Sequence, residues 1–288
     1  MKILIIVPIF NEEHHLDKCL QSFINQTNKP LNLILVNDGS TDNSKKIINK
    51  YSKKFSWING YDKTSNGKAE AGKKIIKAFN YGKSKSTIKY DLIGKFDGDI
   101  ILPKNYFEKM IQHFKKDKKT GMCSGVLYIK KNNKWENEDL HDKRHIRGAL
   151  KLYSKKCFED IGGLTENLGW DTVDELLAKY FKYKTTVDNK IMVKHLRATS
   201  ERYKKNHIFN QGILMYRLRY GILISFLASL KLVWKNKNLK HIIECLSGYL
   251  NARKNKNEFL LSKDQGKFVR NFRIKNIIKK IFNKINFN

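Results

Sequence analysis

The sequence predicts an α/β protein with a mainly parallel central sheet flanked by helices. Over the first 130 residues, short apolar runs alternate with segments of helical periodicity, a pattern typical of such sheets. Five of the runs are predicted strands: 2–8, 31–37, 56–61, 90–96 and 121–129. In parallel sheets, ligands bind at the carboxyl ends of the strands. The polar residues that follow each strand are therefore the first candidates for chemistry.

The helices between these strands are marked by apolar side chains three or four positions apart. They are Leu16, Leu20, Phe23 and Ile24, then Ile47, Ile48 and Tyr51, and then Ile75, Ile76 and Phe79. Ser40 is expected to cap the second of these helices, and Pro103 is expected where a later one begins. Farther along, helices are predicted at 154–161 and 171–181, and a strand at 185–193.

The net charge of +31, from 58 Lys and Arg against 27 Asp and Glu, is unevenly distributed. Residues 204–288 contain 19 basic and 3 acidic residues, which is about half of the net charge. Lysines there alternate with apolar residues at helical spacing, which predicts amphipathic helices. We expect a main α/β domain at 1–203, with halves at 1–99 and 100–203, and a basic helical extension at 204–288. The extension either packs on the domain or lies on an anionic membrane surface.

No segment is predicted to cross a membrane. The apolar stretch 221–234 is shorter than the roughly 20 residues that a span requires, and Lys231 interrupts it. The apolar run at the N-terminus is short and lacks a small-residue cleavage site, so we expect a buried strand there. The four cysteines form no CxxC pair, which favours free thiols in a reducing cytosol. We therefore expect a cytoplasmic protein, peripheral on the inner face of the membrane.

Acidic residues follow three of the predicted strands. Glu12 and Glu13 come shortly after the first strand, Asp38 comes directly after the second, and Asp97 and Asp99 come directly after the fourth. Two carboxylates one residue apart at a strand end are suited to Mg²⁺ or Mn²⁺, which prefer hard oxygen ligands. Asp38 is placed to accept hydrogen bonds from a base N–H or a ribose hydroxyl. Neither a P-loop nor a dinucleotide-binding glycine motif is present.

Three motifs in this order, at residues 6–12, 36–42 and 96–99, resemble the signature of family 2 glycosyltransferases with the GT-A fold. The resemblance extends over roughly residues 1–200 and implies a nucleotide-diphosphate sugar donor, a divalent metal and inversion at the anomeric carbon. It also implies a set of nucleotide-binding residues: Pro8, Phe10, Asn11, Glu12, Asp38, Lys68 and Asp97. The metal ligands implied by it are Asp97 and Asp99, with His195 as a further ligand.

Inverting transfer needs one general base near the attacking hydroxyl and no enzyme nucleophile. By the same resemblance Asp171 aligns with the base of the family, and Asp174 is the second candidate. Acidic residues are also favoured in a first helical turn for the helix dipole alone. Arg147, Gly148 and Trp170 are assigned to the acceptor side. Many acceptors in this family are lipid-linked sugars, so we expect a glycan or lipid-linked glycan of the cell envelope.

Two other classes of function remain at this point. A metal-dependent nucleotidyl or phosphoryl-group transferase would use the same acidic cluster. A basic protein that binds nucleic acid or membrane without catalysis would explain the charge alone. The nucleic-acid reading lacks an RRM, KH or helix-turn-helix pattern, and the positive charge comes mostly from lysine rather than arginine. We therefore expect no nucleic-acid partner.

Overall fold

In the computed structural model, the first apolar run forms strand β1 (Ile3–Ile9), and all seven of its residues are buried. The structure describes residues 1–64, 72–138, 145–197, 207–236 and 238–285. The chain divides into two compact units, Met1–Thr199 and Ser200–Asn288. The first unit contains the sheet, and the second contains helices only in its described part.

The first half of unit 1 alternates strands and helices as the sequence predicts. After β1 come α1 (Leu16–Ile24), β2 (Asn32–Asn37), α2 (Ser44–Lys54), β3 (Ile58–Asp62), α3 (Lys73–Ser84) and β4 (Leu92–Phe96). The second half adds β5 (Ile100–Ile101), α4 (Tyr106–Lys116), β6 (Thr120–Lys131), β7 (Lys134–Asn137), β8 (Leu150–Ser154), α5 (Lys155–Asp160), α6 (Trp170–Tyr180) and β9 (Lys184–His195).

These strands form one sheet in the order β3-β2-β1-β4-β8-β6-β9-β5, with β7 paired to β6. Strands β3, β2, β1 and β4 are parallel to one another, as the sequence pattern predicts. Strand β8 was not predicted; it lies antiparallel between β4 and β6. Strand β9 is parallel to β6 and lies between β6 and the short edge strand β5.

Two predicted helix starts are wrong. Helix α2 begins at Ser44 with Asn43 as its N-cap, and the Ser40 hydroxyl instead accepts a hydrogen bond from the backbone N–H of Asn11. Helix α4 begins at Tyr106, and Pro103 lies three residues earlier, where its carbonyl accepts from the N–H of Tyr106. In both places a turn comes between the expected residue and the helix.

Unit 2 consists of α7 (His207–Arg217), α8 (Ile222–Asn236), α9 (Lys240–Lys254) and α10 (Lys263–Ile285). Helices α7 and α9 cross where two glycines face the opposite backbone. A Cβ on Gly212 would overlap the carbonyl of Cys245, and one on Gly248 would overlap the carbonyl of Phe209. Among the described residues, no helix is both long enough and apolar enough to cross a membrane.

Candidate active site

The loops that follow β1 and β2 form one wall of the candidate site. The backbone N–H of Asn11 donates to Ser40 Oγ at 3.1 Å, and Asn11 Oδ1 accepts from the N–H of Thr41 at 2.9 Å. The N–H of Glu12 donates to Ser44 Oγ at 2.8 Å. Asn11 has a φ of 53°, a left-handed conformation that asparagine tolerates better than most residues. Each loop therefore holds the other.

Asp38 lies behind this wall and is buried. Its Oδ1 is 2.9 Å from Lys63 Nζ, and its Oδ2 is 3.9 Å from Lys74 Nζ. The same Lys74 nitrogen lies 3.7 Å from the ring centroid of Phe10, whose side chain is 46% exposed. A buried carboxylate beside an exposed aromatic ring is suited to holding a heterocyclic base by hydrogen bonding and stacking.

Pro8 and Lys68 are also predicted members of this pocket. Pro8 lies within β1, opposite Val36 of β2, and is buried. It therefore supports the pocket from the sheet. Lys68 lies outside the described residues.

Asp97, Asp99 and His195 converge at the carboxyl end of β4. Each offers one ligand atom, and these atoms lie within 4.8 Å of one another. The convergence is a consequence of the sheet, because β5 pairs with β9 so that Ile100 is opposite His195. The N–H of Leu196 also donates to the carbonyl of Asp99 at 2.8 Å. Two carboxylate oxygens and an imidazole nitrogen form a donor set that suits Mn²⁺ or Mg²⁺.

His195 is held between two acids. Its Nδ1 lies 3.0 Å from Glu138 Oε2, and its Nε2 lies 3.5 Å from Asp99 Oδ1. Burial disfavours the charged imidazolium, but the hydrogen bonds and negative charges of these two acids outweigh burial and raise the pKa of His195 to about 9. A second acid behind a histidine is the usual way in which its ring is oriented toward a metal.

Basic side chains accompany the acids of this cluster. Arg197 contacts Glu12 and lies 3.4 Å from Asp99 Oδ2. Lys95, which is buried, contacts Asp97. The acidic cluster is thus largely neutralised by the protein itself, which permits three carboxylates to lie close together.

Arg147, which the sequence assigns to the acceptor side, is largely buried. Its Nη2 lies 3.6 Å from Glu138 Oε2, so it shares that acid with His195.

Helix α6 brings Asp171 to the same region. The helix begins after Gly169, whose φ of 75° is left-handed, and Asp171 lies in its first turn. The Asp171 side chain is 35% exposed, and its Oδ2 lies 3.9 Å from His145 Nε2. Asp171 is therefore accessible to a molecule in solution, as a general base must be.

Asp174, the second candidate base, is buried. Lys151 Nζ lies 2.7 and 2.8 Å from its two carboxylate oxygens, and the Tyr153 hydroxyl donates to it. Burial raises the pKa of Asp174 to about 6, although Lys151 and Tyr153 act in the opposite direction. Because no face of this carboxylate reaches the surface, its place in the structure is that of an internal ion-pair partner.

Trp170 is also buried, packed against Gly148. A Cβ at position 148 would lie 3.1 Å from Cζ2 of the tryptophan ring. The ring therefore lies beneath Asp171 in the site and does not offer a face to an acceptor.

Several residues that contact the predicted site residues were missed by the sequence analysis: Lys95, Glu138, His145, Lys151 and Arg197. A lysine inside an apolar strand was the available signal for Lys95, and the position two residues after His195 was the signal for Arg197.

Comparison with known proteins adds a family to this geometry. The sequence model described as Glycosyl transferase family 2 matches residues 4–166. The glycosyltransferase GlyA of Streptococcus pneumoniae is 26% identical in an alignment of 275 positions that covers 85% of this chain and 34% of that protein. The poly(ribitol-phosphate) beta-glucosyltransferase of Bacillus spizizenii is 40% identical over 68 residues, 23% of this chain and 11% of that protein. The chain thus spans about a third or less of the length of these relatives.

A solved structure shows the same fold. The mannosyltransferase PcManGT of Pyrobaculum calidifontis, in complex with GDP-Man and Mn²⁺, superposes with a TM-score of 0.54 at 13% identity. The superposition covers 74% of this chain and 61% of that one.

Proposed function

The chain belongs to glycosyl transferase family 2, and we propose that it moves a sugar from a nucleotide-diphosphate donor to a hydroxyl group of a cell-envelope glycan or lipid-linked glycan, with inversion at the anomeric carbon. The observation that carries the proposal is the convergence of Asp97, Asp99 and His195 beside the pocket of Phe10 and Asp38.

The donor would lie along the carboxyl ends of β1, β2 and β4. Phe10 and Asp38 would hold the nucleobase of the donor, with Asn11 and Glu12 forming the wall beside it. Asp97, Asp99 and His195 would hold Mg²⁺ or Mn²⁺, which supplies positive charge to the leaving diphosphate when bound. In this arrangement the nucleobase and the diphosphate of the donor are held at two fixed points. The anomeric carbon would then face α6, which carries Asp171.

Asp171 would act as the general base. The acceptor oxygen forms a bond to the anomeric carbon while the bond from that carbon to the phosphate oxygen breaks. The hydroxyl proton passes to the carboxylate of Asp171, and the electron pair of the broken bond leaves with the nucleotide diphosphate. Exposure supports Asp171 over Asp174 for this role. Arg147 and Gly148 would line the acceptor side, with Trp170 supporting Asp171 from below.

The test is a thermal-shift panel of UDP-, GDP- and dTDP-sugars with Mn²⁺ present, because a ligand that binds the folded state raises its stability. We expect the sugar nucleotides of one nucleobase to raise the melting temperature of the protein, and only when Mn²⁺ is present. Asp99→Asn should abolish the shift, whereas Asp171→Asn should keep it and lower transfer by about 10²- to 10⁴-fold. Asp117→Asn, which removes a carboxylate that pairs with Lys184, is the control and should change neither. No shift with any sugar nucleotide, or full transfer by Asp171→Asn, would contradict the proposal.

We propose further that unit 2 binds an anionic membrane surface, at the inner face of the membrane, through an apolar face of α8. This face comprises Ile222, Leu223, Phe226, Leu227 and Leu230, all of them exposed, and Leu223 is 67% exposed. These positions recur at intervals of one, three and four and so lie on one side of the helix. The basic residues of 204–288 would face the headgroups while this apolar face enters the interface.

Co-sedimentation with vesicles of phosphatidylcholine and phosphatidylglycerol tests this part. The double variant Leu223→Ser, Phe226→Ser should pellet less than the wild type, and high salt should lower binding of both proteins. Leu31→Ser, Phe181→Ser removes two apolar side chains of similar exposure from unit 1 and is the matched control. Equal pelleting of the two double variants would reject the α8 face.

A further inference from the structure

Two buried lysines face each other beneath the candidate site. Lys95 of β4 and Lys151 of β8 are direct partners in the antiparallel register, and both side chains are essentially inaccessible to solvent. Residues that are directly opposite on neighbouring strands lie on the same face of a sheet, and like charges in such positions repel. A lysine is rarely fully buried unless it is paired. The two ammonium groups therefore need partners, and each has different ones.

Lys95 is bound to the donor side of the site. Its Nζ contacts the carboxylate of Asp97 and donates to the carbonyl of Gly148 at 3.0 Å. Asp97 is also one of the three residues that converge as a metal-binding group. A divalent cation and Lys95 would thus compete for the negative charge of the same carboxylate.

Lys151 contacts the side of the site that carries the proposed general base. Its Nζ donates to the carbonyl of Asp171 at 2.6 Å and to both carboxylate oxygens of Asp174. It therefore fixes the backbone of the first turn of α6 from below, at the residue whose side chain is the proposed base.

Trp170 joins the two lysines. The Nζ atoms of Lys95 and Lys151 lie 5.3 and 5.4 Å from the centroid of its ring, within range of a cation–π interaction. The ring is buried, packs on Gly148 and precedes Asp171 in the chain. A displacement of Lys95 would therefore change the packing of Trp170, the residue next to the proposed general base Asp171.

We propose that Lys95, Trp170 and Lys151 are positioning residues that couple the occupation of Asp97 to the placement of Asp171; the inference rests on the proposed function. Lys95 holds Asp97 while no divalent cation is bound and moves away from it when one binds. The Trp170 ring moves with Lys95. Lys151 holds the backbone of Asp171 in place, so that only side chains move. Neither lysine touches the reacting atoms.

The experiment uses the full chain labelled with 5-fluorotryptophan, and the Trp170 resonance is assigned with Trp170→Phe. In the wild type, Mg²⁺ alone should shift this resonance reversibly on addition of EDTA. Lys95→Met should abolish the shift and bind Mn²⁺ about tenfold more tightly, as measured by calorimetry, because a competing positive charge is removed. Lys104→Met makes the same change of charge at an exposed lysine and should leave both the shift and the Mn²⁺ affinity unchanged.

Lys151 is tested in the double variant Lys151→Met, Asp174→Leu, because replacing both partners of a buried ion pair leaves no unpaired charge. Its Mn²⁺ affinity should stay within twofold of the wild type, while the Trp170 resonance should broaden with and without Mg²⁺. If Mg²⁺ binds to the wild type but the Trp170 resonance does not shift, the inference is overturned and the proposed function still stands. Failure of the wild type to bind Mn²⁺ or Mg²⁺ would overturn both. Should Lys95→Met not fold, the wild-type titration decides alone.

Discussion

The ionised side chain of Glu175 should make a measurable contribution to the free energy of unfolding. Glu175 lies on α6, buried, with Oε1 accepting from the N–H of Ile146 at 2.7 Å and Oε2 at 3.0 Å from His145 Nδ1. Burial alone would raise its pKa. The hydrogen bond from His145 and the positive charges of Lys151, His145 and Lys179 outweigh burial and lower the pKa of Glu175 to about 2.

A carboxyl group whose pKa is lowered on folding stabilises the protein above its unfolded pKa. A folded pKa of about 2 against an ordinary value of 4.5 corresponds to about 3 kcal/mol at neutral pH. This contribution is complete above pH 4.5 and is lost as the pH falls toward 2. We expect Glu175→Gln to be less stable than the wild type by about 3 kcal/mol at pH 7 and by about 2 kcal/mol at pH 3.5.

Urea unfolding followed by tryptophan fluorescence at both pH values measures this difference. Every other titrating group is common to the two proteins. Glu175 directly contacts His145, whose pKa burial lowers but the hydrogen bonds to Asp171 and Glu175 raise overall, so the measured difference belongs to the Glu175–His145 pair. Glu159→Gln, a change at an exposed glutamate that pairs with Lys155, is the control and should match the wild type at both pH values. A stability difference for Glu175→Gln that is small at pH 7, or that does not shrink on acidification, would refute the reasoning.

Three further substitutions are expected to act through close contacts. Gly148→Ala should displace the ring of Trp170, which lies 3.1 Å from the new Cβ, and lower kcat about tenfold with little change in donor affinity by calorimetry. Gly212→Ala should force α7 away from the carbonyl of Cys245 and lower the urea stability of unit 2 by about 2 kcal/mol. Asn11→Ala should weaken the Mn²⁺-dependent thermal shift of the best sugar nucleotide, because alanine is disfavoured at a φ of 53° and cannot accept from the neighbouring loop.

The sequence predicts the parallel half of the fold well because its strands are uninterrupted apolar runs. Strand β8 was missed because its second residue is Lys151, and a lysine within a short run indicates a surface position. That lysine is buried because Asp174, far away in the sequence, lies on the helix that packs over the strand. Only the folded chain brings these two residues together.

The candidate site shows the same division. Asp97 and Asp99 could be predicted because they follow directly on a strand, and His195 could be predicted through the family resemblance; the structure brings the three together. Most of their partners were missed because the contacts span a long stretch of chain, such as that from Glu138 to His195. Lys95 lies only two residues from Asp97, and it was missed because its burial depends on the folded sheet. Local spacing therefore predicts which side chains reach the site, whereas the contacts that neutralise and orient them depend on the tertiary structure.

The reciprocal hydrogen bonds between the loops after β1 and β2 bear on how such a protein could be re-engineered, or could diverge, to accept another base. Replacing one loop alone would deprive backbone N–H groups in the other of their side-chain acceptors, since Ser40, Ser44 and Asn11 each serve the opposite loop. Segments 10–13 and 38–44 should accordingly be exchanged as a matched pair from one parent. Phe10, exposed and outside these hydrogen bonds, is the position at which a single change can be tried by itself.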